Sequence, residues 1–407
     1  MSFVSYMGTK AALADPIASA FKDLPRGPLL DLFAGMSAVG RSVGSERNVW
    51  LNDVQSFSQI VSEFHFLPGE PPLGKAAAVR SALRVSKAHF VRLEEAYAEE
   101  LKREEEAITC GDDQQLADYE ISLRGSVVVK TRGMDELSCG VAGDYDLFSR
   151  SYPGTYFGLR QCLELDSLRK GIDHAVPSDD VSNAVLRRWM ISALGAAASR
   201  SSNSTGHFAQ YLTVNTRNAH RVRAQRKRSL LAGWLKQLRS ARRIGSEEWR
   251  KNNRVYSSDA CELLRQLGQV AEVPGVIYAD PPYTCDQYSR YYHILETLVL
   301  YDYPFLNGKG RYREERFVSS WSLASRVRQS FADLIEASAK LGASLVISYP
   351  RDGLLEDSEA ELPILLREHY KQVVTLSPVA HKHSTMGASK GRQQHDVVEQ
   401  LFVAQKA

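Results

Sequence analysis

Cysteine is scarce in this chain of 407 residues: it has five, spread far apart, with no Cys-x-x-Cys pair. That pattern indicates neither a disulfide framework nor a zinc site, so no metal is expected and the thiols read as reduced and mostly structural. Long apolar runs are missing as well. Nothing approaches the roughly 20 apolar residues of a membrane span, and Lys10, Asp15 and Lys22 interrupt any signal-peptide core. A cytoplasmic protein with no membrane partner is expected. There is no internal repeat and no long low-complexity tract. A complete G-x-G-x-x-G is absent too, which argues against a dinucleotide ligand. With 43% hydrophobic and 24% charged residues, the chain can fill the cores of roughly two or three domains.

The net charge of +3 is small but unevenly placed: between Arg217 and Arg254 thirteen Lys or Arg stand against two acids, Glu247 and Glu248. Such an excess points to a polyanionic partner, with a solvated helix face or basic loop as the plainer alternative.

Apolar runs at Pro28 to Phe33 and Asn48 to Leu51, with a helix-like stretch between them, predict a strand, helix, strand opening. Five more strands are expected at Val255-Tyr256, Val276 to Ala279, Ser344 to Ser348, Val373 to Leu376 and Val397 to Val403. Lys75 to Ala107 reads as one long, acid-rich, solvated helix, and apolar residues at helical spacing in Val181 to Ala198 predict another helix. The expected fold class is α/β, a parallel-rich sheet with helices on both faces plus an inserted, mainly helical region. The expected division places residues 1–60 and 255–407 in the sheet domain and 61–254 in the insertion. Within the insertion, 75–152 has no assignment and 180–254 carries the basic segment.

The sharpest chemical signal is Asp280-Pro281-Pro282-Tyr283, directly after the apolar run Val276 to Ala279. In an open α/β sheet ligands bind beyond the carboxyl ends of strands. An exocyclic amine on an aromatic ring is a poor nucleophile because its lone pair is delocalised. Acceptors on its amino protons, the Asp280 carboxylate and the Pro281 carbonyl, favour a pyramidal nitrogen. Two prolines fix that carbonyl's direction, and Tyr283 can stack on a base turned out of a duplex. An ordinary Pro-Pro turn is the alternative. A second signal is Asp31-Leu32-Phe33-Ala34-Gly35, an acid at a strand end followed by a glycine turn, with Asp53 closing the next strand where ribose hydroxyls would be met. Ser258-Asp259 closes another short strand; Asp259 either meets an adenine ring or caps the helix Ala260 to Leu267.

Taken in order, Tyr6-Met7-Gly8-Thr9-Lys10, Asp31 to Gly35, Asp53, Asp259 and Asp280 to Tyr283 resemble the alpha-type (Dam-like) N6-adenine DNA methyltransferases. Gln287-Tyr288 and Tyr292 to Thr297 resemble a longer signature of one branch. The similarity covers about 1–60 and 180–403. It implies a Rossmann-like methyltransferase sheet that uses S-adenosylmethionine, and it implies double-stranded DNA as partner. It places Tyr6, Gly8 and Lys10 at the methionine end of the cofactor, and Asp31, Phe33, Ala34 and Gly35 against it. Asp53 falls on the ribose and Asp259 on the adenine, while Asp280 to Tyr283 hold the target base. Ser37 stands where the family usually has a second glycine.

In the family's DNA-reading segment lie Ser201 to His207 and the cations Arg217, Arg221, Arg223, Arg226, Lys227 and Arg228. Most of these should hold phosphate while one or two arginines read guanine. The loop from His381 to Arg392, with Lys382, Lys390 and Arg392, is implied to hold backbone as well. A cognate restriction or defence-system subunit stays open as a further partner. Two other readings stay open: the same fold acting on RNA adenine or cytosine N4, and an idle DNA-binding protein that kept the scaffold.

Overall fold

Seven strands form the central sheet of the computed structural model, which describes residues 13–69, 75–125, 145–384 and 394–406. They are β1 (Leu29–Asp31), β2 (Val49–Asn52), β3 (Arg254–Tyr256), β4 (Val276–Ala279), β7 (Ser344–Pro350), β8 (Gln372–Ser384) and β9 (Gln394–Gln405). A separate antiparallel pair, β5 (Leu306–Asn307) and β6 (Tyr312–Arg313), lies in the helical part of the chain. The seven run in the order β3-β2-β1-β4-β7-β9-β8; the first five are parallel, and β9 and β8 close the edge antiparallel.

The strands read as continuous apolar runs because both faces of the sheet are covered. Leu30, Ile277, Leu345 and Phe402 point to one face, where they pack with the helices Ala260–Leu267, Ala324–Lys340 and Ser358–Arg367. Leu29, Val276, Val346 and Leu401 point to the other, beneath the helix Ala14–Ala20 and its neighbours Ala38–Val43 and Ser56–Phe66. The result is a mixed α/β sheet, mostly parallel, with helices on both faces.

The chain divides into two compact units. The sheet unit takes residues 13–69, Arg242–Ser289 and Phe317 onward; the helical unit takes 75–125, 145–241 and Arg290–Arg316. In the helical unit the expected long helix is two, Lys75–Ala96 and Ala98–Thr109, broken where Tyr97 turns into the core. This region is not a solvated appendage: Tyr97 packs with Leu93, Leu123, Leu159 and Leu163. Gly171 in the helix Leu159–Ala175 lies so close to the first of these helices that a Cβ there would overlap the Ser86 hydroxyl and the Ala82 carbonyl oxygen. Among the described residues no helix is long and apolar enough to cross a membrane.

Candidate active site

The strand order reverses at β1 and β4. From β1 the chain runs outward through β2 and β3, and from β4 it runs the other way to β7. Carboxyl ends at such a reversal leave a crevice. Here it is a cleft lined by the ends of β1, β2, β3 and β4.

The Asp31–Gly35 turn forms one wall. Gly35 has a φ of 50°, a left-handed conformation that glycine adopts without penalty. Its amide donates to Asp53 Oδ2 at 2.9 Å, while Asp53 Oδ1 accepts from the Gln55 amide at 2.9 Å. Asp53 therefore clamps the glycine turn to the end of β2. Ser37 also has a positive φ, 56°, which costs a non-glycine residue about 1 kcal/mol. Its hydroxyl is held 2.7 Å from that of Ser62, and Ser37 is not among the described residues lining the cleft, although Met36 and Ala38 are. The serine in place of glycine is thus turned away from the ligand space.

Asp31 is buried, and its carboxyl is pushed up to about 8. Loss of water is the largest cause and the negative charge of Asp280 the next; the Phe33 amide, donating at 3.3 Å, opposes them, and Asp53 adds a little in the same direction as Asp280. Four carboxylates, Asp31, Asp53, Asp259 and Asp280, line this one cleft. Such a site favours a cation. Asp259 Oδ1 accepts from the amides of Cys261 at 3.0 Å and Glu262 at 3.2 Å, so it caps the helix Ala260–Leu267.

The opposite wall is Asp280-Pro281-Pro282-Tyr283, carried by the end of β4. The Tyr283 carbonyl accepts from the Leu354 amide at 3.1 Å, and the ring packs half-buried against the core. Phe33 sits edge-on to Trp321 at 5.4 Å, so the glycine turn and the Ser319–Ser322 loop share one aromatic contact.

Two contributors, Asn52 and Trp321, lie outside the sequence motifs. Asn52, one residue before Asp53, is buried, and its amide donates to the carbonyls of Leu32 and Ser258 at 3.0 Å each while its oxygen accepts from the Ser258 amide at 3.1 Å. It ties the ends of β1, β2 and β3 together. Its place at a strand end beside an acid was the available clue. Trp321 lies far downstream of every motif that it touches, and nothing local marks it.

The structure separates the expected DNA contacts. Arg217, Arg221, Lys227 and Arg228 are exposed, with Arg221 donating to the Ser204 carbonyl at 2.6 Å and Arg228 to that of Arg200. Arg223 is half-buried and paired with Asp113 at 2.9 Å. Arg226 corrects the expectation. It is buried, forked onto Glu120 at 2.7 and 3.0 Å, and bonded to the carbonyls of Thr155 and Tyr156, so no donor face is left for a phosphate. The basic block is also divided between the two units, with Arg242 to Arg254 in the sheet unit. There Arg243 grips the carbonyls of Leu67 and Gly69, and Arg250 those of Ile244 and Gly245. Tyr6, Gly8, Lys10, Lys390 and Arg392 lie outside the described residues; Lys382 is on β8 opposite Asp396, its side chain likewise outside the description. Among the described residues no group of three or more His, Cys, Asp or Glu could hold a metal ion.

The chain is similar to three proteins of known class. Modification methylase LlaI of Lactococcus lactis subsp. lactis is 25% identical over 332 residues, 81% of this chain and 43% of its own length. Type II methyltransferase M.FokI of Planomicrobium okeanokoites is 36% identical over 120 residues, 29% of this chain and 17% of its own. Modification methylase StsI of Streptococcus sanguinis is 24% identical over 159 residues, covering 38% and 22%. These relatives are methylases. The chain spans less than half the length of each of them. No family model matches the chain.

Proposed function

We propose that this protein is a DNA methyltransferase that moves a methyl group from S-adenosylmethionine to N6 of an adenine turned out of duplex DNA. The carrying observation is the convergence of the Asp31–Gly35 turn, Asp53 and Asp280-Pro281-Pro282-Tyr283 on one cleft at the β1/β4 reversal. The similarity to modification methylases and a type II methyltransferase supports the methyl-transfer part of the reading.

The residues fit the cofactor's charge. Asp31, protonated near neutrality by burial and its acidic neighbours, becomes a stable carboxylate once a cation lies beside it. S-adenosylmethionine, bound there, supplies an electrophilic methyl on a sulfonium. Asp31 would take its amino group, Phe33, Ala34 and Gly35 its methionine arm, Asp53 its ribose and Asp259 its adenine. Asp280 and the Pro281 carbonyl accept the two amino hydrogens of the target, freeing the nitrogen lone pair, and Tyr283 stacks on the ring. The sheet unit is then the catalytic domain. The helical unit, with Arg217, Arg221, Lys227 and Arg228, is the DNA-holding region, these cations neutralising phosphates.

The test is to incubate the protein with tritiated S-adenosylmethionine and either duplex DNA or structured RNA, then to identify the labelled base. N6-methyladenine in DNA is expected. Label in N4-methylcytosine or in RNA would redirect the specificity, and DNA binding without transfer would overturn the enzyme reading.

A further inference from the structure

Two consecutive large apolar side chains are exposed beside the cleft: Phe317 is 39% and its chain neighbour Val318 is 59% exposed. Phe317 also lines the cleft together with Tyr283 and Tyr288. The loop that carries the pair is firmly anchored. Gln287 Oε1 accepts from the Ser319 amide at 2.7 Å, and its Nε2 donates to the Ser319 carbonyl at 3.2 Å. Ser322 Oγ donates to the Asp286 carbonyl at 3.0 Å. The Ser319 hydroxyl caps the short turn Ser320–Ser322, and Trp321 is 2% exposed between Phe33 and Phe331. The same loop is therefore pinned to the segment that follows Tyr283.

An apolar pair exposed directly before an anchored turn, beside a cleft that could take a ring, suits a partner that opens an apolar gap at that point. A duplex with one base turned out is such a partner, because the vacated position exposes the flat faces of the neighbouring base pairs. Side chains such as Phe and other apolar residues enter such gaps.

We propose that Phe317 and Val318 form the wedge that fills the vacated position in the base stack while the target base occupies the cleft. This rests on the base-extrusion reading above and adds to it the residues that hold the duplex open. Contact with a second copy of the chain or with another protein would leave the extrusion step untouched, and the test separates these.

The test compares the parent with F317A/V318A on duplexes in which the target adenine is paired with thymine or faces an abasic position. An unpaired target costs less to extrude, so a wedge matters most when the target is paired. On the paired duplex kcat/KM of the variant should fall on the order of tenfold or more, and on the abasic duplex it should stay within about threefold of the parent. Fluorescence of 2-aminopurine placed at the target should rise with the parent and fail to rise with the variant. F317L/V318L, which keeps apolar bulk, should behave as the parent. An equal loss on both duplexes, no loss on either, or failure of the leucine pair overturns the wedge while the parent still transfers methyl. A parent that labels neither duplex overturns the methyltransferase reading and the wedge with it.

Discussion

The buried Asp31 of the sheet unit and three buried carboxylates of the helical unit are treated in opposite ways. In the helical unit each meets donors: Glu120 is forked by Arg226, and Glu104 accepts from the amides of Leu159 and Arg160 at 2.7 and 2.9 Å. Asp166 accepts from the amides of Phe148 and Ser149 at 2.8 Å each and from the Tyr301 hydroxyl. In the sheet unit Asp31 has one long backbone hydrogen bond and two negative neighbours. A carboxyl that folding leaves poorly served is a candidate for service by a ligand. A fully buried one gripped by a guanidinium, as Glu120 is by Arg226, is architecture.

The largest effect should come from breaking the architectural side. Arg226→Ala leaves Glu120 buried without its guanidinium and should cost about 3 to 5 kcal/mol in denaturant unfolding. A loss under about 1 kcal/mol would return Arg226 to the candidate DNA contacts. On the site side, Asp280→Ala should reduce methyl transfer by about two to three decades with cofactor affinity nearly unchanged by calorimetry, because the contact matters chiefly in the transition state. Near-parental turnover would remove Asp280 from that role.

Asp31 gives the sharper comparison through pH. Its folded value of about 8 lies above the ordinary 3.8, so the native state holds a proton that the unfolded chain has lost. The unliganded protein should then lose stability as pH rises from about 4 to about 8, and Asp31→Asn should flatten that slope. Affinity for the cationic cofactor should instead rise toward about pH 8, by up to about tenfold per unit. Titration calorimetry at about pH 6, 7 and 8 reads this directly, and a flat profile would show that no cation sits on Asp31. The smallest effect belongs to the exposed cations. Replacing Lys227 and Arg228 together by alanine should reduce the slope of log affinity against log salt by up to about two and weaken all duplexes alike. An unchanged slope would mean that both face solvent.

The site's two walls were legible because each is local. An apolar run ends at a charge or a turn residue, and the run itself predicts the strand that carries it, as with Val276 to Ala279 before Asp280. The strands of the parallel core and of its edge were legible as apolar runs, but the antiparallel direction of the edge pair was not. What joins the walls was not legible, because it is long-range. Asn52 bonds to Ser258 across 206 residues and Arg226 to Glu120 across 106. For Arg226 composition misled outright: an arginine inside a basic run looks the same whether its partner is solvent, phosphate or a buried glutamate. Tyr97 shows the same limit, since helix propensity continues through a residue that packing turns inward.

The excursion of Arg290–Arg316 into the helical unit bears on modularity. Its helix His293–Leu300 contributes Ile294, Leu295 and Leu298, all fully buried, and the Tyr156 hydroxyl joins the carbonyls of Phe208 and Gly310 at 2.6 and 3.1 Å. A graft that transplants 61–254 alone, as the sequence division would suggest, leaves these apolar side chains behind without their covering. It also strips the transplanted piece of part of its core. The helical unit is therefore not an interchangeable cassette: any chimera must carry both chain passages, and an insertion or deletion in one has to be matched in the other.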